Sequence, residues 1–276
     1  MDFENVLILT QKELRDALRN RWFLLYAVAF AALSLALGWF SVSGAGSYGV
    51  AGFGRTTAGL INLILLIVPL MGLTLGAMSL AGEREKGTLV YLLAQPIGGA
   101  ELLLGKFIGL ALALTAALVI GFGLTGLMMV VAGGGGDFMI FATLLVLAVL
   151  LAVASLSVGF LISAATRRAA TAVGLALFLW LVLVYFGDLG LMGTALVVQM
   201  DVGQLLTLAL INPLQVFKIA AVLNLRDNLE VLGPAGIYAF RTYGGALWPL
   251  LVGLLLAWAI VPLLLSLRVF RARGVI

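Results

Sequence analysis

The sequence of 276 residues contains no cysteine and no histidine. Disulfides, thiol nucleophiles, Cys/His metal centres, haem ligation by histidine and every histidine-based acid–base mechanism are thereby excluded. With no thiols to read, the redox compartment stays open. Charge is scarce too, at 10% of residues against 63% hydrophobic, with a mean hydropathy of +1.21. Soluble domains carry about a quarter charged residues, so this composition cannot clothe a globule in hydrated surface. Disorder requires low hydrophobicity and high charge, and is excluded as well.

What is present is a set of long apolar runs. Residues 22–41, 58–81, 107–131, 138–165, 169–186 and 246–266 contain no Asp, Glu, Lys or Arg. A spanning helix needs about 20 mostly apolar residues, and in lipid every backbone amide must be paired internally. The expected fold class is therefore all-α: a single polytopic membrane domain with six transmembrane helices. Trp22 and Trp39 bracket the first run, about 25 Å apart along a helix and close to the separation of two membrane interfaces. The segment before it carries Asp2, Glu4, Glu13 and Asp16 and is too long for a cleavable signal peptide.

All charged residues fall between the runs. One side of the membrane receives 12 Lys and Arg, the other receives Arg55, Lys218, Arg226 and Arg241, giving net charges of +5 and −1. The richer side is expected to be cytoplasmic and holds both termini. A sequence pI near 9.6 would suggest nucleic acid in a soluble protein, but here the excess is topogenic and no nucleic-acid partner is expected.

The segments between runs differ in character. Residues 3–20 form an amphipathic interfacial helix, with Val6, Leu9, Leu14 and Leu18 near one face and Lys12, Arg15 and Arg19 elsewhere, suited to membrane lipid. The loop 82–106 predicts a short amphipathic helix that starts near Glu83 and Glu85, carries Leu89, Leu92 and Leu93 on one stripe, and stops at Gln95-Pro96. Residues 133–137 (GGGGD) read as a flexible outer hairpin. The outer segment 187–245 is too long for a simple connector. It predicts helices that are external or half-buried, broken at Asn212-Pro213, with a re-entrant arrangement as the alternative.

No charge lies inside any run, which disfavours a proton-coupled carrier. A phosphate-binding loop would read GxxxxGK[ST]. The nearest string, AELLLGKF at 100–107, lacks the first glycine and the final hydroxyl. Gly105-Lys106 is thus the start of a membrane helix, and any ATP and magnesium belong to another polypeptide. Gly72 and Gly76, and the row Ser155, Gly159 and Ser163, allow close helix approach. Pro69 predicts a kink, and with Asn62 it is a candidate lining element of a central path. Methionine is the one soft ligand type present. Met128 and Met129 are speculative copper contacts, with gap-filling packing as the ordinary reading.

The string EREKGTLVYLLAQPI (83–97) resembles the signature loop of the type-2 ABC exporter permeases, E-[RK]-E-x-G-T-L-x-x-L-L-x-x-P-[IV]. The resemblance implies that Glu83, Arg84, Glu85, Lys86, Gly87, Thr88 and Leu89 couple the chain to an ATPase, and that 1–21 is the family's elbow helix. It also implies a homodimer in the bacterial inner membrane. More narrowly, Lys12-Glu13-Leu14, Arg19–Trp22 and INPLQVFK (211–218) are similar to the branch serving maturation of the copper enzyme nitrous oxide reductase. That branch implies a cytoplasmic NosF-like ATPase dimer, a periplasmic NosD-like partner and no catalytic residue in this chain. Three readings follow: a permease moving a solute, which extends to another small molecule or lipid; a mechanical transmitter without solute passage; and a disfavoured ion-coupled carrier.

Overall fold

The computed structural model describes residues 2–44, 52–131, 138–187, 201–224, 238–239 and 241–273. The expected hairpin at 133–137 lies outside them, as do residues 189–200 of the outer segment. Ten α-helices are assigned among the described residues: α1 Phe3–Arg19, α2 Arg21–Gly44, α3 Gly52–Glu85, α4 Thr88–Leu93, α5 Gly99–Val131, α6 Phe138–Ala165, α7 Ala169–Tyr185, α8 Val202–Ile211, α9 Pro213–Asn224 and α10 Leu247–Arg273. The chain is an all-α polytopic membrane protein. Helices α2, α3, α5, α6 and α10 are long and apolar enough to cross a membrane. Helix α7, at 17 residues and about 25 Å, sits at the lower limit for a span.

Helix ends follow from local chemistry. Asp2 caps α1 by accepting from the Glu4 amide at 3.2 Å, and Asn20 leaves the helical region and accepts from Trp22 N at 2.9 Å. Helices α8 and α9 meet at 111° across Asn212. The Asn212 side chain accepts from Leu214 N at 3.0 Å, and Pro213 opens α9, where its missing amide costs nothing. Nearly every residue of α9 from Pro213 to Ala221 is buried, packed against α6 and α10.

The centre of the bundle is the α3–α6 pair. A Cβ on Gly72 would lie 2.8 Å from Ala152 O, one on Gly76 2.6 Å from Leu156 O, and one on Gly159 2.6 Å from Leu73 O. The backbones are thus in direct contact, which is how membrane helices gain dispersion energy where lipid removes the hydrophobic incentive. Ser163 Oγ accepts from both Leu80 N (3.0 Å) and Ala81 N (2.8 Å), extending the seam toward the end of α3. Pro69 withholds one amide from the helix. One residue beyond the carbonyl this orphans, Leu66 O accepts from Trp180 Nε1 of α7 at 3.1 Å.

Helices α1 and α2 both lie against α5. Gly105 and Gly109 accept α1 so closely that a Cβ would meet Leu9 Cβ at 2.5 Å and Glu13 Cβ at 2.7 Å. Further along, Phe30 and Phe122 stack at 5.9 Å, and Phe122 meets Phe141 edge-on at 5.1 Å. The apolar stripe expected on α1 is divided: Val6 and Leu9 are buried on α5, while Leu18 joins Phe3, Leu7 and Ile8 on the exposed side. The groove made by Gly105 and Gly109 selects which residues turn inward.

The seam makes a stability prediction. Gly76→Ala should lose about 1–3 kcal/mol through overpacking. Gly123→Ala, where no atom lies within 4 Å of the new Cβ, should be neutral or slightly stabilising. Denaturant unfolding of the two variants in detergent checks the contrast.

Candidate coupling site

The loop singled out in the sequence begins inside α3. The expected helix start at Glu83 and Glu85 is not what forms: these residues make the last turn of α3, and the short helix α4 begins only at Thr88. Carboxylates at a helix C-terminus oppose the macrodipole by up to about 1 kcal/mol each. Charge-assisted hydrogen bonds contribute about 1.5–3 kcal/mol, so partners outside the helix decide the outcome.

Three consecutive residues, splayed by the helical turn, reach three neighbours. Glu83 Oε1 meets Lys106 Nζ of α5 at 2.9 Å. Arg84 donates from Nη1 to the carbonyl of Thr166, just beyond the C-terminus of α6. Glu85 Oε2 accepts from Ala169 N, the first residue of α7, at 2.8 Å. Arg84 thus serves a negative helix end and Glu85 a positive one, both favourable to the dipoles they face.

Lys106 is the centre of the arrangement. Its side chain is 4% exposed, and its ammonium also contacts Glu13 Oε2 of α1 at 2.7 Å. A second clamp lies a turn earlier on α5. Buried Glu101 accepts from Asp2 N at 2.6 Å, from Asn5 Nδ2 at 3.2 Å and from Gly98 N at 3.1 Å. Thr10 adds a hydrogen bond from its hydroxyl to Gly105 O. Sequence reasoning used Lys106 as a topogenic charge at a helix start, Glu13 in the leading segment and in the family resemblance, and Glu101 only as a topogenic charge, and assigned none of them a partner. The signal that was available is Gly105-x-x-x-Gly109, which makes a groove around Lys106 and demands a neighbour.

Beyond Glu85 the chain turns. Gly87 has φ +72°, a left-handed conformation that suits glycine, and Thr88 Oγ1 donates to Glu83 O at 3.2 Å. Helix α4 then buries Leu89 completely and leans Leu92 and Leu93 on the core. Its other side exposes Val90 (55%) and Tyr91 (76%), neither of which the sequence reading singled out. Lys86 and Thr88 are exposed as well. The motif therefore has a half tied to neighbouring helices, Glu83–Glu85 with buried Leu89, and an outward half around Thr88, Val90 and Tyr91.

The other sequence candidates lie elsewhere. Asn62 is exposed on α3 and Pro69 is buried. Gly72 and Gly76 sit inside the closed α3–α6 seam. Met128 is half-buried, its sulfur 3.8 Å from where a Cβ on Gly38 would stand. Met129 falls in the last turn of α5, its side chain outside the described set. Among the described residues no group of three or more Asp or Glu side chains is placed to hold a metal ion.

Comparison with known proteins gives two results. The family described as "ABC-2 family transporter protein" matches residues 7–275. Among curated proteins, the chain is 32% identical over 272 residues to the "Probable ABC transporter permease protein NosY" of Stutzerimonas stutzeri, covering 96% of this chain and 97% of that one. It is 33% identical over 283 residues to the protein of the same description in Pseudomonas aeruginosa, covering 97% and 98%.

The buried cation makes a prediction. Lys106→Met strands two carboxylates and should cost about 3–5 kcal/mol of stability. Adding Glu13→Gln and Glu83→Gln to that variant should recover most of the loss in the same unfolding assay.

Proposed function

The chain belongs to the ABC-2 family of transporter permeases, and on that premise we propose that α4 receives the stroke of a separate cytoplasmic ATPase and that the residues Glu83, Arg84 and Glu85 distribute it. The observation that carries this reading is the three-way attachment of that tripeptide to α5 with α1, to α6 and to α7. A force on α4 enters through buried Leu89 and the last turn of α3, and α5, α6 and α7 are engaged at once, with α1 reached through Lys106. The ATPase contact is then the exposed Val90–Tyr91 face, with Lys86 and Thr88 beside it. Nucleotide and magnesium are held by the ATPase, a NosF-like dimer, and this chain pairs with a second copy. Both termini face the cytoplasm, in keeping with the charge asymmetry.

By similarity to proteins described as NosY, the proposed role is copper-site maturation of nitrous oxide reductase with a NosD-like protein on the periplasmic side. Copper or a sulfur species would be cargo, and this chain offers no charged ligand within its charge-free runs. One observation favours mechanical transmission over solute passage. Helix α6 runs unbroken for 28 residues, about 42 Å. Arg84 grips the Thr166 carbonyl at one end, and Asn224 Nδ2 of α9 donates to Ile140 O at the other, at 2.8 Å. A stroke at α4 thereby reaches the bent α8–α9 pair through a single rod. Solute export, of copper, another small molecule or a lipid, remains the second reading and is what the flux measurement below tests.

Three experiments test this reading. Val90→Asp with Tyr91→Asp should abolish co-purification of the ATPase while membrane insertion and thermal stability stay unchanged; normal co-purification would overturn the assignment of the face. In vesicles holding the complex, ATP should drive no flux of copper or small sulfur species. Asn224→Ala should impair enzyme maturation with ATP hydrolysis retained. ATP-dependent flux that survives Asn224→Ala would reject transmission in favour of transport.

A further inference from the structure

Beside the Lys106 cluster lies a cavity of about 480 Å³, bounded by α1, α3, α5 and the start of α7. Its α3 wall consists of Leu75, Met78, Ser79, Gly82, Glu83 and Glu85, with Lys86 just past the helix end. The spacing 0, 3, 4, 7, 8, 10 keeps to one side of the helix, and it spans about 15 Å along the axis. The wall changes character along that length, from apolar through small residues to charged. The α1 wall is Glu13, Asp16 and Ala17, at 0, 3, 4, with the capping residue Asn20 at its end. Met78 is 38% exposed toward the apolar end, while Glu85 and Lys86 are exposed at the charged end. The cleft thus opens both toward lipid and toward water. Asn20 on its rim is followed two residues later by Trp22, an exposed residue of the type that marks the membrane interface.

The charges around it are not balanced. Four carboxylates, Glu13, Asp16, Glu83 and Glu85, face two ammonium groups, Lys86 and Lys106, and Asp16 also pairs with Lys12 at 3.8 Å outside the cleft lining. Glu83 uses Oε1 on Lys106, whereas its Oε2 is buried and has no hydrogen-bond partner. A buried carboxylate oxygen without a donor is costly. The cleft therefore calls for an amphiphile whose polar end carries a cation with N–H donors and whose body is apolar.

We propose that this cleft binds an inner-leaflet phospholipid with a primary-amine headgroup, the ammonium among Glu83, Glu85, Glu13 and Asp16, the phosphate toward Lys86, and one acyl chain along Leu75, Met78 and Leu110. A choline headgroup fits poorly because its quaternary nitrogen donates no hydrogen bond. The lipid stands between the elbow helix and the end of α3, so it braces the parts that the stroke moves. Binding needs neither the ATPase nor the maturation role, so it stands or falls separately from them.

Gly82 supplies the test. A Cβ there would meet no atom within 4 Å, and Gly82 lines the cleft, so Gly82→Leu puts its side chain into the cleft from an uncrowded position. Gly174→Leu, equally uncrowded on α7 and away from the cleft, is the control. The full chain is placed in nanodiscs of equimolar phosphatidylethanolamine and phosphatidylcholine, extracted, and its retained lipid counted by native mass spectrometry. Phosphatidylethanolamine should be retained about 10-fold over phosphatidylcholine, the scale of one lost charge-assisted hydrogen bond. The preference should fall stepwise with N-methylated headgroups, vanish in Gly82→Leu and persist in Gly174→Leu. Equal retention of both lipids, or a preference unchanged in Gly82→Leu, would overturn the proposal. So would loss of ATPase association in Gly82→Leu without any headgroup preference, which would make the cleft a socket for the partner's side chain.

Discussion

The ammonium of Lys106, held between Glu13 and Glu83 and almost wholly out of solvent, is the contact on which the arrangement of this end of the molecule rests. Removing a lysine from water is expensive unless its charge is matched at close range. Here one carboxylate comes from the helix before the first span and the other from the last turn of α3. The chain cannot satisfy the lysine without bringing α1, α3 and α5 together. The glycines at 105 and 109 let α1 come close enough for this to happen.

The same physics explains why the charged motif is split between an interior and an exterior half. Glu83, Arg84 and Glu85 have an anionic–cationic–anionic order, and each meets a group of opposite sign: an ammonium, a carbonyl-rich helix end and an amide-rich helix start. On the proposed coupling, what is left for a partner is the side of α4 that the core does not need. That side offers Val90 and Tyr91 for packing, with the polar Thr88 and Lys86 beside them.

Much of the fold was legible in the sequence because lipid simplifies the code. Charge-free runs of the right length have few alternatives, and the six expected stretches coincide with α2, α3, α5, α6, α7 and α10 to within a few residues at most ends. Four boundaries shifted by a turn or two: α3 runs from Gly52 to Glu85, α5 starts at Gly99 and α10 continues to Arg273. At Glu85 and Gly99 the nearby charges find partners on neighbouring helices and need not wait for the loop. The division of α1 into buried Val6 and Leu9 and exposed Leu18 was not readable from periodicity, which marks an apolar stripe but not what lies against it. Lys106 and Glu101 were missed for a related reason. A charge at the rim of an apolar run looks the same whether it snorkels to water or turns inward to a carboxylate. Val90 and Tyr91 were hidden by their type, since in a membrane protein an apolar residue attracts no notice until its exposure is known.

Helix α6 has one further implication. Alternating access, as usually drawn, needs two gates that are set separately, one at each face of the membrane. A continuous helix seized by Arg84 at one end and by Asn224 at the other leaves little room for that independence. On the proposed transmission the two faces would share a single degree of freedom, and any state in which they differ would first release one grip. The cycle would then be counted in broken and remade end contacts and not in opened and closed gates.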